Sequence, residues 1–99
     1  MRVTFDPGAS DELDRIFALI AKDDPGAAYE MVARIEAKVM GLATPDLTQI
    51  GQPGVVQGTR ELLEYPYIIV YKIDNDGDQI VVISIVHGAD PRNPRTADR

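Results

Sequence analysis

Two blocks of bulky apolar residues, YIIVYKI over residues 67–73 and IVVISIV over 80–86, constrain this chain more than any other feature. Each carries Val, Ile or Tyr at both odd and even positions. Strand side chains alternate between faces, so apolar groups emerge on both sides of the sheet, and the first block reads as a central strand covered on both faces. Between the blocks, Asp74-Asn75-Asp76-Gly77-Asp78 supplies an Asn and a Gly that tolerate the positive φ of a tight reversal. The two blocks are therefore expected to form a β-hairpin.

The rest of the chain reads as packing for that hairpin. Val3 and Phe5 alternate over a short N-terminal strand whose partner is not legible locally. Asp6-Pro7 starts a helix: the carboxylate can accept from orphan amides, and Pro lacks the N–H that would go unpaired. Ala9, Leu13, Ile16, Phe17 and Ile20 follow as one apolar stripe. Asp24-Pro25 repeats the device, which ends the first helix near Lys22 or Asp23 and opens a second. Ala28, Met31, Val32, Ile35, Val39 and Leu42 make the second stripe, and Glu30 is placed to pair with Arg34 one turn on. So short a connection makes the helices an antiparallel hairpin.

From Ala43 to Gly58 the chain reads as an ordered connecting loop, with Pro45, Gly51, Pro53 and Gly54 as breakers and Leu47 and Ile50 as core anchors. Thr59–Leu63 reads as a strand that turns at Glu64-Tyr65-Pro66 into the central hairpin. After His87, Gly88 and DPRNPRTADR end regular structure, because closely spaced prolines neither pair in a sheet nor continue a helix. The expected domain covers 1–90, with 91–99 as a flexible C-terminal tail. The order strand, helix, helix, strand, strand, strand predicts an α+β fold, a helical hairpin packed on one face of a mostly antiparallel four-stranded sheet.

Composition narrows the function. With 99 residues, 44% of them hydrophobic, the chain can bury one core. No run approaches the roughly 20 apolar residues of a membrane span, and no signal-peptide layout opens the chain, so a soluble cytoplasmic protein is expected. Cys is absent, which removes disulfides and thiolate metal sites. Sixteen acidic against ten basic side chains give a formal charge of −6, which opposes the counterion release that drives nucleic-acid binding. No glycine-rich phosphate loop, zinc spacing or nucleophile elbow occurs, so no cofactor and no metal are expected. The aspartates of 74–78 lack the run of positions closing on a Glu that a calcium loop needs.

His87, the single histidine, stands where the last strand ends, a place that permits general acid–base work. Strict alternation puts it on the face of Val81, Ile83 and Ile85, where it would be a partly buried structural histidine bonded to a neighbouring loop. Arg60 and Glu61 point to opposite faces of their strand. An Arg on the open face could bind a phosphate or a partner carboxylate; on the other face it would bridge to an acid of the helical hairpin. Tyr67 and Tyr71 belong to the core, whereas Tyr65, in a turn beside Pro66, is freer to meet a partner.

The helix-hairpin segment DELDRIFALIAKDDPGAAYEMVARIEAKVMGLA (11–43), GTREL (58–62), YPYIIVYKID (65–74) and VVISIVHGAD (81–90) together resemble the ParE branch of the ParE/RelE toxin superfamily of bacterial type II toxin–antitoxin modules. The resemblance spans nearly the whole chain. It implies a small toxin neutralised by a cognate antitoxin, ParD-like or RelB-like, whose disordered segment wraps over it in a hetero-oligomer. ParE-type members are associated with blocking DNA gyrase and RelE-type members with cutting messenger RNA on the ribosome. Ile68 occupies the central-strand position where RelE-type nucleases commonly carry an arginine, which removes a charge that would stabilise a cleaving phosphate. Ser84 stands where ParE relatives often carry an Arg three residues before the His, and Asp90 stands where the Arg of an HGAR-like ending would be.

The reading favours a toxin acting by protein contact, with DNA gyrase as the expected target, over an enzyme. An RelE-type ribosome-dependent endoribonuclease and a degenerate toxin that only binds antitoxin are the alternatives. Arg60, Tyr65, His87 and Arg92 are the expected target- or antitoxin-binding residues, with His87 and Arg60 as the catalytic candidates should the chain be a nuclease.

Overall fold

The computed structural model describes residues 2–43, 51–74, 76 and 78–89. In chain order it contains β1 (Arg2–Phe5), α1 (Pro7–Ala21), α2 (Pro25–Gly41), β2 (Gln52–Pro53), β3 (Arg60–Glu64), β4 (Tyr67–Asp74) and β5 (Gln79–His87). One sheet runs in the order β1-β5-β4-β3-β2. β1 pairs parallel to β5, and every other pairing is antiparallel. The α+β architecture is the expected one, but the sheet has five strands instead of four. The addition is β2, inside the segment read as a loop: two residues, one of them Pro, carry no alternation that could announce a strand.

Helix boundaries follow the two Asp-Pro steps, but the caps differ. Asp24 accepts from the Ala27 amide at 3.1 Å, whereas the Asp6 side chain makes no capping bond. Proline at the first helical position is enough there to fix φ and remove one orphan donor. Both stripes turn to one face of the sheet. Ala9, Ile16, Met31, Ile35, Val39 and Leu42 join Leu62, Tyr67, Ile69, Tyr71, Ile80, Val82 and Ile85 in one cluster, against which Val3, Phe5, Leu13, Ile20 and Ile73 pack. Fully buried Ile35, Leu42, Ile69 and Ile80 each contribute on the order of 1.5–3 kcal/mol. Phe17 lies at the margin of its stripe and meets Tyr29 edge-on, centroids 4.9 Å apart.

Two further expectations are corrected. Arg34 points to Glu64 at 3.9 Å instead of to Glu30; Lys38 lies 3.8 Å from the same carboxylate and donates to the Leu63 carbonyl at 2.7 Å, so α2 is tied to β3. The cations of both pairs are exposed, and each pair contributes about 1 kcal/mol or less. The central strand is not covered equally on its two sides: Tyr67, Ile69 and Tyr71 are buried under the helices, while Ile68 and Val70 are only half-buried on the far face. In the hairpin turn Asp78 takes positive φ, at 51°; Asn75 and Gly77, the residues expected to do so, lie outside the described residues, as do Leu47 and Ile50. Among the described residues no helix is long and apolar enough to cross a membrane.

The β4–β5 register shifts once. Val70 faces Ser84 but Tyr71 faces Val82, which leaves Ile83 as an extra residue on β5. Such a bulge reverses the phase of the alternation beyond it. Ile85 and His87 therefore share the helix-side face with Val82 and Ile80, and not with Val81 as strict alternation predicts.

Candidate functional site

The two sheet ends carry the predicted residues, and they are built differently. At one end β5 stops at His87, which is exposed and not partly buried as expected. Its ring stands edge-on to Tyr67, its partner across β4, with centroids 5.4 Å apart and planes at 82°. Nδ1 accepts from the Ala89 amide at 3.0 Å, which leaves Nε2 as the protonated nitrogen of the neutral ring. The Gly88 amide donates to the Pro66 carbonyl at 2.8 Å, locking the strand end to the β3–β4 turn. In that turn, across the cis Tyr65–Pro66 bond, Tyr65 is 79% exposed.

α1 runs beside this end. Glu12, Arg15, Ile16 and Leu19 face Tyr67, Ile85, Val86 and His87 across a cleft of about 150 Å³. Glu12 accepts from the Ser84 hydroxyl at 3.2 Å, so Ser84 ties the bulge to α1. Burial pushes the Tyr67 phenol above its usual range, which keeps it a neutral donor. Among the described residues, one guanidinium and one carboxylate flank an apolar floor. A space of this size and lining fits a partner's apolar side chain with a polar flank. Among the described residues, no group of three His, Asp or Glu side chains is gathered for a metal.

At the opposite end Arg60 and Glu61 hold a loop. Arg60 lies on the helix-side face beside Tyr71, and its Nη2 donates to the Gly51 carbonyl. Glu61, on the far face and only 6% exposed, accepts from the Val55 amide at 3.2 Å. The Gly54 amide donates to the Thr59 carbonyl at 2.8 Å, and the Thr59 hydroxyl donates to the Val56 carbonyl at 2.6 Å. The GTREL residues are thus the clip of the 51–59 loop, which carries β2 along the edge of β3. The expected opposition of Arg60 and Glu61 holds. The Arg60 fork reaches a backbone carbonyl, however, and not an acid of the helical hairpin.

Arg60 and His87 do not converge. They face Tyr71 and Tyr67, four residues apart on β4 or roughly 13 Å along the strand, from its opposite sides. Tyr65 stands at the His87 end. Arg92 lies outside the described residues, as does Asp90. Glu12 and Arg15 were not singled out from sequence. Nothing local reports which flank of α1 will lie over β5. The loop clip had a signal, the Gly51, Gly54 and Gly58 spacing ahead of Arg60.

Residues 3–91 match the family model described as ParE toxin of type II toxin-antitoxin system, parDE. The chain is 40% identical over 88 residues to "Putative toxin Y4kP" of Sinorhizobium fredii, covering 87% of this chain and 86% of that one. Among solved structures it is similar to the chromosomal ParDE system from P. aeruginosa, with TM-score 0.76, 26% identity and 88% and 95% of the two chains covered. It shares its fold with the RelBE2 toxin–antitoxin complex of Mycobacterium tuberculosis, with TM-score 0.62, 20% identity and 87% and 95% covered. A family match over nearly the whole length, carried by helices, sheet and clip alike, makes the chain a member of the ParE toxin family of type II toxin–antitoxin systems.

Proposed function

We propose that this chain inhibits growth in the cytoplasm by protein contact, with DNA gyrase as its target, and that a cognate antitoxin holds it inactive in a hetero-oligomer. The observation that carries the reading is the makeup of the His87 cleft. Among the described residues Arg15 is its single guanidinium, Glu12 also lines it, and Ile16, Leu19, Ile85 and Val86 supply the floor. Cleaving RNA requires preorganised positive charge at the reacting phosphate, and among the described residues that line the cleft one cation is matched by one anion. On the far face of β4, Ile68 and Val70 carry no charge and Lys72 is followed by Asp74, so the strand shows no excess of positive charge to grip a polynucleotide. An antitoxin partner is supported by the similar ParDE and RelBE2 structures, the latter a toxin–antitoxin complex.

Inducing the chain alone in bacteria, while following DNA breaks, the SOS response and transcript integrity, tests the proposal. Breaks with intact transcripts are the expected result. Transcripts cut in a ribosome-dependent way would replace it with the RelE-type reading, and unimpaired growth would leave a chain that only binds antitoxin.

A further inference from the structure

The cleft beside His87 has its acceptor engaged and its donors free. The Ser84 hydroxyl lies 3.2 and 3.4 Å from the two oxygens of Glu12, the carboxylate that lines it. Tyr67 is only 6% exposed, and its hydroxyl finds no hydrogen-bond partner among the described residues. A hydroxyl on so buried a side chain is costly to leave unpaired, so it points to something that binds there. His87 accepts at Nδ1 from the Ala89 amide, which leaves its Nε2–H to donate. Arg15 is exposed, and no ion pair ties its guanidinium to a described residue, Glu12 three positions earlier included.

Donors lacking an acceptor select one, and an ionised acceptor forms the stronger bonds. Size narrows the choice. The cleft holds about 150 Å³, whereas pockets for whole small molecules start at about 300 Å³, so it admits one side chain and not a nucleotide. Its apolar floor asks for an aliphatic stem beneath the charged head, and a glutamate has both. The charges around the cleft bear on the source. Asp11, Asp14, Lys22 and Asp23 are exposed on α1 and just past its end without lining the cleft, and Glu64 is held by Arg34 and Lys38. That acidic surround opposes the repeated phosphates of a polynucleotide. A single carboxylate delivered by a folded protein meets the donors at contact, while solvent and salt screen the outlying acids.

We infer that the cleft of Arg15, Tyr67 and His87 binds a glutamate side chain presented by the toxin's protein target. This rests on the proposed reading, in which the cleft is the face turned to that protein. The test compares full-length Tyr67→Phe and Arg15→Met with the wild type in growth arrest on induction, inhibition of purified gyrase supercoiling, and binding of the cognate antitoxin. Phe keeps the ring and loses only the hydroxyl, and Arg15 is exposed, so both variants should keep a cooperative melt at neutral pH.

In each variant the concentration that halves supercoiling should rise about tenfold or more, as when a hydrogen bond to a charged group is lost, and growth arrest should weaken with it. Arg15→Lys should recover part of the inhibition. Lys22→Met, which removes an exposed cation of the same region outside the cleft, should stay as toxic as the wild type. Antitoxin binding should stay unchanged. By NMR, N-acetylglutamate methylamide titrated into the wild type should shift the His87 ring and Ala89 amide signals, and the glutamine analogue should not.

Undiminished inhibition by either Tyr67→Phe or Arg15→Met would overturn the inference while leaving the protein-target reading standing. So would equal loss in Lys22→Met, which would make net charge the cause, or lost antitoxin binding with toxicity kept, which would make the antitoxin the occupant. Equal shifts from the two amides, or none, would overturn it as well. An inert wild type, or one that cuts transcripts, would bring down the protein-target reading and this inference together.

Discussion

The sheet has two functional-looking ends, and they invert what their residues suggest. Arg60, a cation singled out from the sequence, proves to be occupied by a backbone carbonyl and to hold a loop. His87, singled out likewise, stands exposed beside a cleft and holds little beyond its own turn. A residue type that suggests chemistry therefore marks either a contact or the clip that shapes a loop, and bonding geometry tells which. The Arg60 end should matter to stability and the His87 end should hardly matter.

The reference for scale belongs to neither end. Ile35→Asp puts a carboxylate at a fully buried core position, and the cost of about 4 kcal/mol or more should leave no cooperative melt by circular dichroism. At the Arg60 end, Gly51→Ala forces a Cβ against the Glu61 carbonyl at 2.5 Å and the Tyr71 hydroxyl at 2.8 Å. A loss of about 1–3 kcal/mol in urea unfolding is expected.

Arg60→Met removes the donor to Gly51 and should cost about 1–2 kcal/mol, with faster amide exchange confined to the loop. Exchange rising equally around His87 would erase the contrast between the ends.

The His87 end has one alkaline signature. Burial raises the Tyr67 pKa in the folded state above its unfolded value near about 10. The folded state thus holds the phenolic proton more tightly, and this stabilisation is full below the unfolded value. It is lost as pH rises through the folded one. Thermal melts from neutral pH upward should decline past that region, and Tyr67→Phe should flatten the decline. Smallest of all, His87→Gln should change stability by about 0.5 kcal/mol or less, since it gives up only an exposed edge contact and an exposed bond from the Ala89 amide. A cost matching that of Arg60→Met would show that the histidine, too, is structural.

What the amino-acid order determined was everything carried by short-range period and punctuation. The three-and-four spacing of Ile16 and Ile35, the Asp-Pro steps and the β-branched blocks at 67–73 and 80–86 specify helices, strands and hairpin, because each is a local consequence of backbone geometry. The family wording lies in the same strings. Tertiary structure alone decided the rest. The bulge at Ile83 moved His87 to the helix side, and the parallel docking of β1 on β5 had no local trace. Packing chose which flank of α1 brings Arg15 to the cleft, and whether Arg60 would face solvent or Gly51. These depend on register and on contacts between residues distant in sequence. One extra residue in a strand inverts every face beyond it, and no local pattern records it.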